Sequence, residues 1–193
     1  MELLTVNDVI AHHQVSALTY LFFWGSRRNP NVVDKGCFSQ WDPVGFHDDD
    51  GVFYATAEHY MMVKKAQCFQ ASDLLIQQIL SAPSPSEAKN MGRSITHYQD
   101  EKWEAVRLEH VIQGNCYKFG QHPDLLDFLL STGSCVLVEA SPADSIWGIG
   151  LRSSDPRALE PRLWQGRNLL GFALMATRTR LRALLNHSQD VAH

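Results

Sequence analysis

The first strong apolar run is LTYLFFW, residues 18 to 24. It is short and aromatic and stops at Gly25 before a polar, proline-containing stretch, which predicts a buried strand followed by a loop. The segment CFSQWDPVGFHDDDGVFYAT sets two aromatic stretches on either side of an acidic Asp-Gly turn, the pattern of a hairpin. Helical spacing then takes over. Thr56 is placed to cap a helix beginning AEHYMMVKK, and Ser72 to cap DLLIQQIL. SPSE, from Ser84 to Glu87, is a capping box with Pro85 at the first helical position. Residues 99 to 119 predict the longest helix, ended by Gly120, and HPDLLDFLLSTG predicts another, stopped by Gly133. CVLVEA, residues 135 to 140, is short and β-branched and reads as a second buried strand. Residues 141 to 166 form a loop rich in proline and glycine, and RNLLGFALMATRTRLRALL predicts a long final amphipathic helix before an HSQDVAH tail expected to fray. The sum is an α+β fold: a compact, mainly α-helical single domain with a few short β-strands.

Composition narrows this picture. The chain has 193 residues, 45% hydrophobic and 20% charged, enough for one domain spanning 1–193 around a core that needs no disulfide or metal. A net charge of −4 disfavours extended binding along a duplex. Cys37, Cys68, Cys116 and Cys135 make no C-x-x-C pair or zinc pattern and are expected to be buried, reduced thiols. His47 to Asp50 fit no calcium loop and read as a solvated turn. MELLTVNDVIAHHQ lacks the form of a signal peptide, and no window approaches the length of a membrane span, so the expected setting is cytoplasmic.

One helix breaks the usual separation of charged and apolar faces. Glu58, Met61, Met62, Lys65 and Phe69 follow offsets of three, four, seven and eleven, which brings a carboxylate and an amine onto one mostly apolar surface. Two readings are open: Lys65 snorkels to the rim while Glu58 serves the helix dipole, or the two line a cleft as an acid or base beside a lysine weakened by burial.

Three further motifs carry candidate chemistry. In ADSIWGIG, Gly148 and Gly150 allow close backbone approach, Trp147 offers a stacking face, and Asp144 can orient a sugar hydroxyl. In NMGRSI, Arg93 can bind a phosphate or pair with the last carbonyls of its helix. In GRNLLG, Asn168 and free backbone amides can meet an anion or a ribose, or Asn168 can cap the last helix.

Taken together, AEHYMMVKKA, NMGRSI followed by KWEAVR, CVLVEA leading into DSIWGIG, and GRNLLGFALM resemble in order and spacing the NADAR family, best known for its YbiA-like N-glycosidase branch. The resemblance covers about residues 20 to 182. It implies a mainly helical α+β domain that hydrolyses N-glycosidic bonds. The implied substrate is either a phosphoribosylated early intermediate of riboflavin biosynthesis or ADP-ribose carried on guanine, with no cofactor and no metal. Matched to the family's motifs, Glu58, Lys65 and Asp144 would be catalytic, and Arg93, Trp147, Gly148, Gly150, Asn168 and Ser39 would bind substrate. Two departures stand out: Ser39, Gln40 and Trp41 replace the family's serine-asparagine-aromatic, and the stretch between Gly150 and Gly166 is longer and richer in proline.

The implied chemistry gives each residue a role. Glu58 would stabilise positive charge on the ribose or activate water, and Lys65 would protonate the leaving group or attack the opened sugar as a Schiff-base nucleophile. Trp147 would stack, Asp144 hold a ribose hydroxyl and Arg93 hold phosphate. If ADP-ribosylated nucleic acid were the substrate, an exposed Arg27 and Arg28 loop would supply the local phosphate contact. A module that binds NAD or ADP-ribose without turnover is the third reading.

Overall fold

The computed structural model describes residues 3–27, 29 and 31–190. It opens on a helix that the apolar pattern did not predict, α1 (Val6–His13), closed by a reciprocal box between Thr5 and Asp8. The strand β1 (Tyr20–Phe23) and a 3-10 turn (Lys35–Phe38) follow, then a hairpin of β2 (Phe46–His47) and β3 (Phe53–Tyr54). The helices α2 (Ala57–Cys68), α3 (Asp73–Leu80), α4 (Pro85–Arg93), α5 (Asp100–Gly120) and α6 (Pro123–Ser131) lead to β4 (Val136–Glu139). Two 3-10 turns (Pro156–Leu159, Pro161–Leu163) precede α7 (Leu169–Asp190). The fold is a mainly helical α+β single domain, as the sequence predicts. The caps at Thr56, Ser72 and Ser84 form, each accepting from the backbone three residues on. The expected ranking of helices reverses, because α5 has 21 residues and α7 has 22.

The parallel pair β1–β4 lies at the centre, in a register that sets Phe23 beside Glu139. Val136, Leu137 and Val138 are wholly buried, and α7 packs across β4. The helix α2 is enclosed by α3, α4 and α5, so Ala57 through Val63 are all buried, Glu58 and His59 included. The first two turns of α2 therefore have no wet face, and Lys64 and Lys65 follow where the helix becomes partly exposed, which accounts for the anomalous pattern of AEHYMMVKK. His59 is satisfied locally, by the Thr56 hydroxyl at 2.8 Å and the Ala82 carbonyl at 3.0 Å. Gly92 lets α4 approach α2 closely, since a Cβ there would overlap Met62 Sδ.

Two expectations are corrected, on Arg27 and on the cysteines. Arg27 is not exposed: it is 9% accessible, and its Nε reaches both oxygens of the fully buried Asp42 at 3.0 and 3.1 Å. A carboxylate taken that far from water needs a cation, and Arg27 supplies it. Arg28 lies outside the described residues. Of the four free cysteines Cys37 alone is buried, because the other three fall on partly exposed faces. In the hairpin turn Asp48 accepts from Asp50 N, Val52 N and the Tyr54 hydroxyl, so its oxygens are occupied in shaping the turn. Among the described residues, no helix is long and apolar enough to cross a membrane.

Candidate active site

A bent cleft opens where α2, α4, the turn after β1 and the loop after β4 meet. Its inner arm, about 150 Å³, has Glu58, Lys65, Arg93, Arg107, Tyr98 and Trp147 among its walls. A chamber of about 50 Å³ is shared by Glu58, Glu139, Lys89, Asp144, Trp41 and Trp147. The mouth, about 280 Å³, is lined by Trp24, Ser26, Ser39 and Trp41 together with Glu139 and Asp144. Lys89 borders all three spaces, and Glu58 sits where the inner arm meets the chamber. A groove of about 400 Å³ between α5 and α7 is walled by Leu126, Leu181, Leu184 and Leu185 and carries no carboxylate or cation, so it offers no acid or base for chemistry.

Glu58 is positioned by both ends of its local structure. Thr56 starts α2, and Glu58 N donates to the Gln40 carbonyl at 2.9 Å, which ties the helix start to the Ser39–Trp41 turn. That turn is braced from below by Lys118, wholly buried, whose Nζ donates to the Cys37 and Ser39 carbonyls at 2.6 and 3.0 Å. The departure at Gln40 has a structural use, because its side-chain oxygen accepts from Asn115 Nδ2 at 3.0 Å. Glu58 is 2% exposed and its Oε1 has no hydrogen-bond partner among the described residues. Burial pushes its carboxyl up to about 7, against the pull of Lys89 and a hydrogen bond from Trp41. A carboxylate poised there can gain or lose a proton at neutral pH.

Lys65 shares the inner arm with Glu58, so the predicted helical face is a cleft wall and not a snorkelling rim. Its Nζ donates to the Gly92 carbonyl at 2.9 Å and lies 4.3 Å from the Tyr98 ring centroid. Burial lowers its pKa, with Arg93 adding to the effect. Arg93 ends α4 and points an exposed side chain at the same arm. Arg107 lies deeper, 7% exposed, its Nε without a partner among the described residues.

The W-G-x-G loop brings Trp147 and Asp144 to the cleft while its glycines serve packing. Asp144 Oδ1 accepts from Ile146 N and Trp147 N at 2.9 and 2.8 Å, so this carboxylate shapes the loop as well as facing the chamber. A Cβ on Gly148 would come within 2.9 Å of the Glu139 carbonyl. Gly150 adopts φ +70 and lies away from the cleft. Asn168 is wholly buried: its Oδ1 accepts from Glu139 N and its Nδ2 donates to the Leu137 carbonyl, both at 2.9 Å. Its amide therefore clamps β4 instead of facing a ligand or capping α7. The longer proline-rich stretch folds into the two 3-10 turns, and none of residues 151–165 lines the cleft.

Arg107 and Tyr98 in the inner arm, Trp24 and Ser26 at the mouth, and two charged residues of the chamber, Lys89 and Glu139, lay outside the sequence expectations. Lys89 stands four residues before Arg93 on α4, a spacing that puts both on one face. Glu139 is the one carboxylate of an otherwise apolar strand and precedes Asp144 by five residues. Burial pushes its carboxyl up to about 8, with Asp144 adding to the rise.

A small α+β domain whose cleft joins two carboxylates, each with one buried and unpartnered oxygen among the described residues, to cations and aromatic walls has the attributes of a hydrolytic enzyme acting on a polar, ring-bearing small molecule. The comparisons with known proteins give this class its family: the NADAR domain matches residues 22–182, and the chain belongs to the NADAR family. A protein of Acanthamoeba polyphaga mimivirus named as an N-glycosidase is 38% identical over 164 residues, covering 82% of this chain and 94% of that one. The maize protein named riboflavin biosynthesis protein PYRR, chloroplastic, is 33% identical over 167 residues, 81% of this chain but 25% of its own length. The NMR structure of the Escherichia coli protein YbiA superposes with a TM-score of 0.66 at 25% identity, over 92% of this chain and 91% of that one.

Proposed function

We propose that this protein hydrolyses the N-glycosidic bond of a phosphoribosylated early intermediate of riboflavin biosynthesis. That it is a hydrolase acting on N-glycosyl bonds follows from relatives named as N-glycosidases that align with nearly their whole length. The finer substrate draws support from the relatives named riboflavin biosynthesis proteins. The observation that carries the mechanism is Glu58, a buried carboxylate with an unpartnered oxygen at the junction of a cationic arm and an aromatic mouth.

Breaking a C1′–N bond builds positive charge on the ribose ring, and an anion fixed in a dry chamber stabilises it. Glu58 supplies that anion and takes a proton from the attacking water. Lys65 and Arg93 hold the 5′-phosphate in the inner arm, with Arg107 behind them. Trp147 stacks, Asp144 orients a ribose hydroxyl, and the departing heterocycle occupies the mouth beside Ser39, Trp24 and Trp41. The reading takes the cytoplasm as its setting. Its rival substrate, ADP-ribosylated guanine in nucleic acid, loses the contact expected of Arg27, which is turned inward onto Asp42.

The test is hydrolysis of a phosphoribosylaminopyrimidine and of an ADP-ribosylated guanine oligonucleotide by wild type and Glu58→Gln. Turnover of the first alone, lost in the variant with binding kept, is the expected result. Preference for the oligonucleotide overturns the substrate, and ligand binding without turnover of either overturns the enzyme.

A further inference from the structure

The mechanism above leaves one requirement unmet. An amine departs poorly as an anion, so a proton must reach the leaving nitrogen as its bond to C1′ breaks. Glu58 is taken up with the water, and Lys65 Nζ is engaged with the Gly92 carbonyl in the arm assigned to phosphate. The donor should lie in the chamber or the mouth, on the side of the heterocycle.

Glu139 borders both spaces. It ends β4, and its backbone is fixed on two sides: its N–H by Asn168 Oδ1 at 2.9 Å and its carbonyl by Ile149 N at 2.9 Å. The side chain thus projects from a rigid strand end into the chamber that Glu58 enters from α2. Its Oε2 is shut off from solvent and has no hydrogen-bond partner among the described residues. Leaving that buried oxygen charged and unpaired is costly, and the group avoids the cost by keeping its proton, which makes it a donor aimed at an empty space.

We propose that Glu139 is the general acid of this site. Its carboxylic O–H passes a proton to the leaving nitrogen while the electron pair of the C1′–N bond moves onto that nitrogen. Water bonds to C1′ and gives its proton to the Glu58 carboxylate, so one water is consumed and a free sugar and a neutral amine are released. Glu58 ends protonated and Glu139 ionised, and exchange with solvent resets both. The assignment rests on the glycosidase reading and deepens it.

The charged groups facing Glu139 are Asp144 from the loop that follows it, Glu58 from α2 and Lys89 from α4. The two carboxylates raise Glu139 and the lysine lowers it, with burial outweighing all three. Two carboxyl groups held protonated to different degrees in one chamber match the division of labour between acid and base in other glycosidic hydrolyses. Glu139 must hold its proton and Glu58 must have lost its own, so activity falls above about 8 and below about 7, both limbs belonging to the coupled pair.

The experiment compares wild type, Glu139→Gln and Glu58→Gln on two substrates: a phosphoribosylaminopyrimidine, and 4-nitrophenyl riboside 5-phosphate, whose leaving group needs no proton. Glu139→Gln is expected to lose roughly 10²–10³-fold in kcat on the amine, less than about tenfold on the nitrophenyl compound, and the alkaline limb of its pH profile. Glu58→Gln is expected to lose both activities. Equal loss on the two substrates, or none, overturns the role of Glu139 while the glycosidase reading stands. Failure of wild type on both overturns the reading and the role together. Infrared spectra at neutral pH give a check without substrate: Glu58 contributes to the buried carboxylic acid band of both proteins, so the band should be weaker in Glu139→Gln than in wild type by the contribution of Glu139, and equal bands overturn the proposal.

Discussion

Asn168 holds the backbone N–H of Glu139 through its side-chain oxygen at 2.9 Å, and so sets the strand end that delivers a carboxylate to the cleft. The same amide donates to the Leu137 carbonyl, and the residue adopts φ +53, a conformation asparagine tolerates better than most. Asn168→Ala leaves two buried backbone groups unpaired and strains the turn into α7. It should cost about 2–4 kcal/mol in urea unfolding. Well below its melting temperature, the variant should keep its KM for the phosphorylated substrate. A KM raised tenfold with stability intact would return Asn168 to the substrate contact that its motif suggests.

Arg27 and Asp42 form a pair with almost no exposed side-chain surface, 4% and 0%. Removing one partner strands a buried charge, so Arg27→Met should destabilise by about 3–5 kcal/mol. Asp42→Asn added to Arg27→Met should recover part of the loss, which equilibrium unfolding of the two variants measures. A phosphate-binding role predicts the opposite: unchanged stability and weakened binding to oligonucleotides.

Lys65 is bonded to the Gly92 carbonyl and stacked on Tyr98, beside Arg93 and Arg107. As a phosphate contact, Lys65→Ala should raise KM for a phosphoribosyl substrate at least tenfold, while the dephosphorylated riboside should be little affected. Borohydride should trap no adduct on wild type. An adduct that disappears in Lys65→Ala would make the lysine a nucleophile and move the phosphate to Arg93 and Arg107.

Much of this site was legible because local rules position it. Caps at Thr56, Ser72 and Ser84 and the helical spacing of Glu58, Met61, Met62 and Lys65 depend on neighbours within a few residues, and the structure keeps them. Arg27, Asn168 and Glu139 were misread or missed because their surroundings come from far along the chain. Arg27 is buried by a carboxylate 15 residues away, and Asn168 is occupied by a strand 29 and 31 residues before it. Glu139 reads as a polar strand end until Glu58 of α2 and Lys89 of α4 are brought to the same chamber. The helix α1 was a different kind of miss, since Thr5 and Asp8 carry its box within the sequence itself.

Glu58 is buried at a cost that its function explains, and the cost has a definite dependence on pH. Its carboxyl sits at about 7 in the folded protein, against 4.5 for the ordinary group. Between those values the folded state holds a proton that the unfolded state has released, so stability falls as pH rises through this window. Below about 4.5 both states are protonated and the penalty vanishes; above about 7 it is complete, and a shift of that size corresponds to about 3 kcal/mol. Glu58→Gln removes the charge and keeps the shape. It should therefore unfold at nearly the wild-type urea midpoint at pH 4.5 and be more stable by about 1–3 kcal/mol at pH 8, while losing at least about 10²-fold in kcat. Equal midpoints at both pH values would mean that Glu58 ionises normally, and the argument for a dry, charge-stabilising chamber would fall with it.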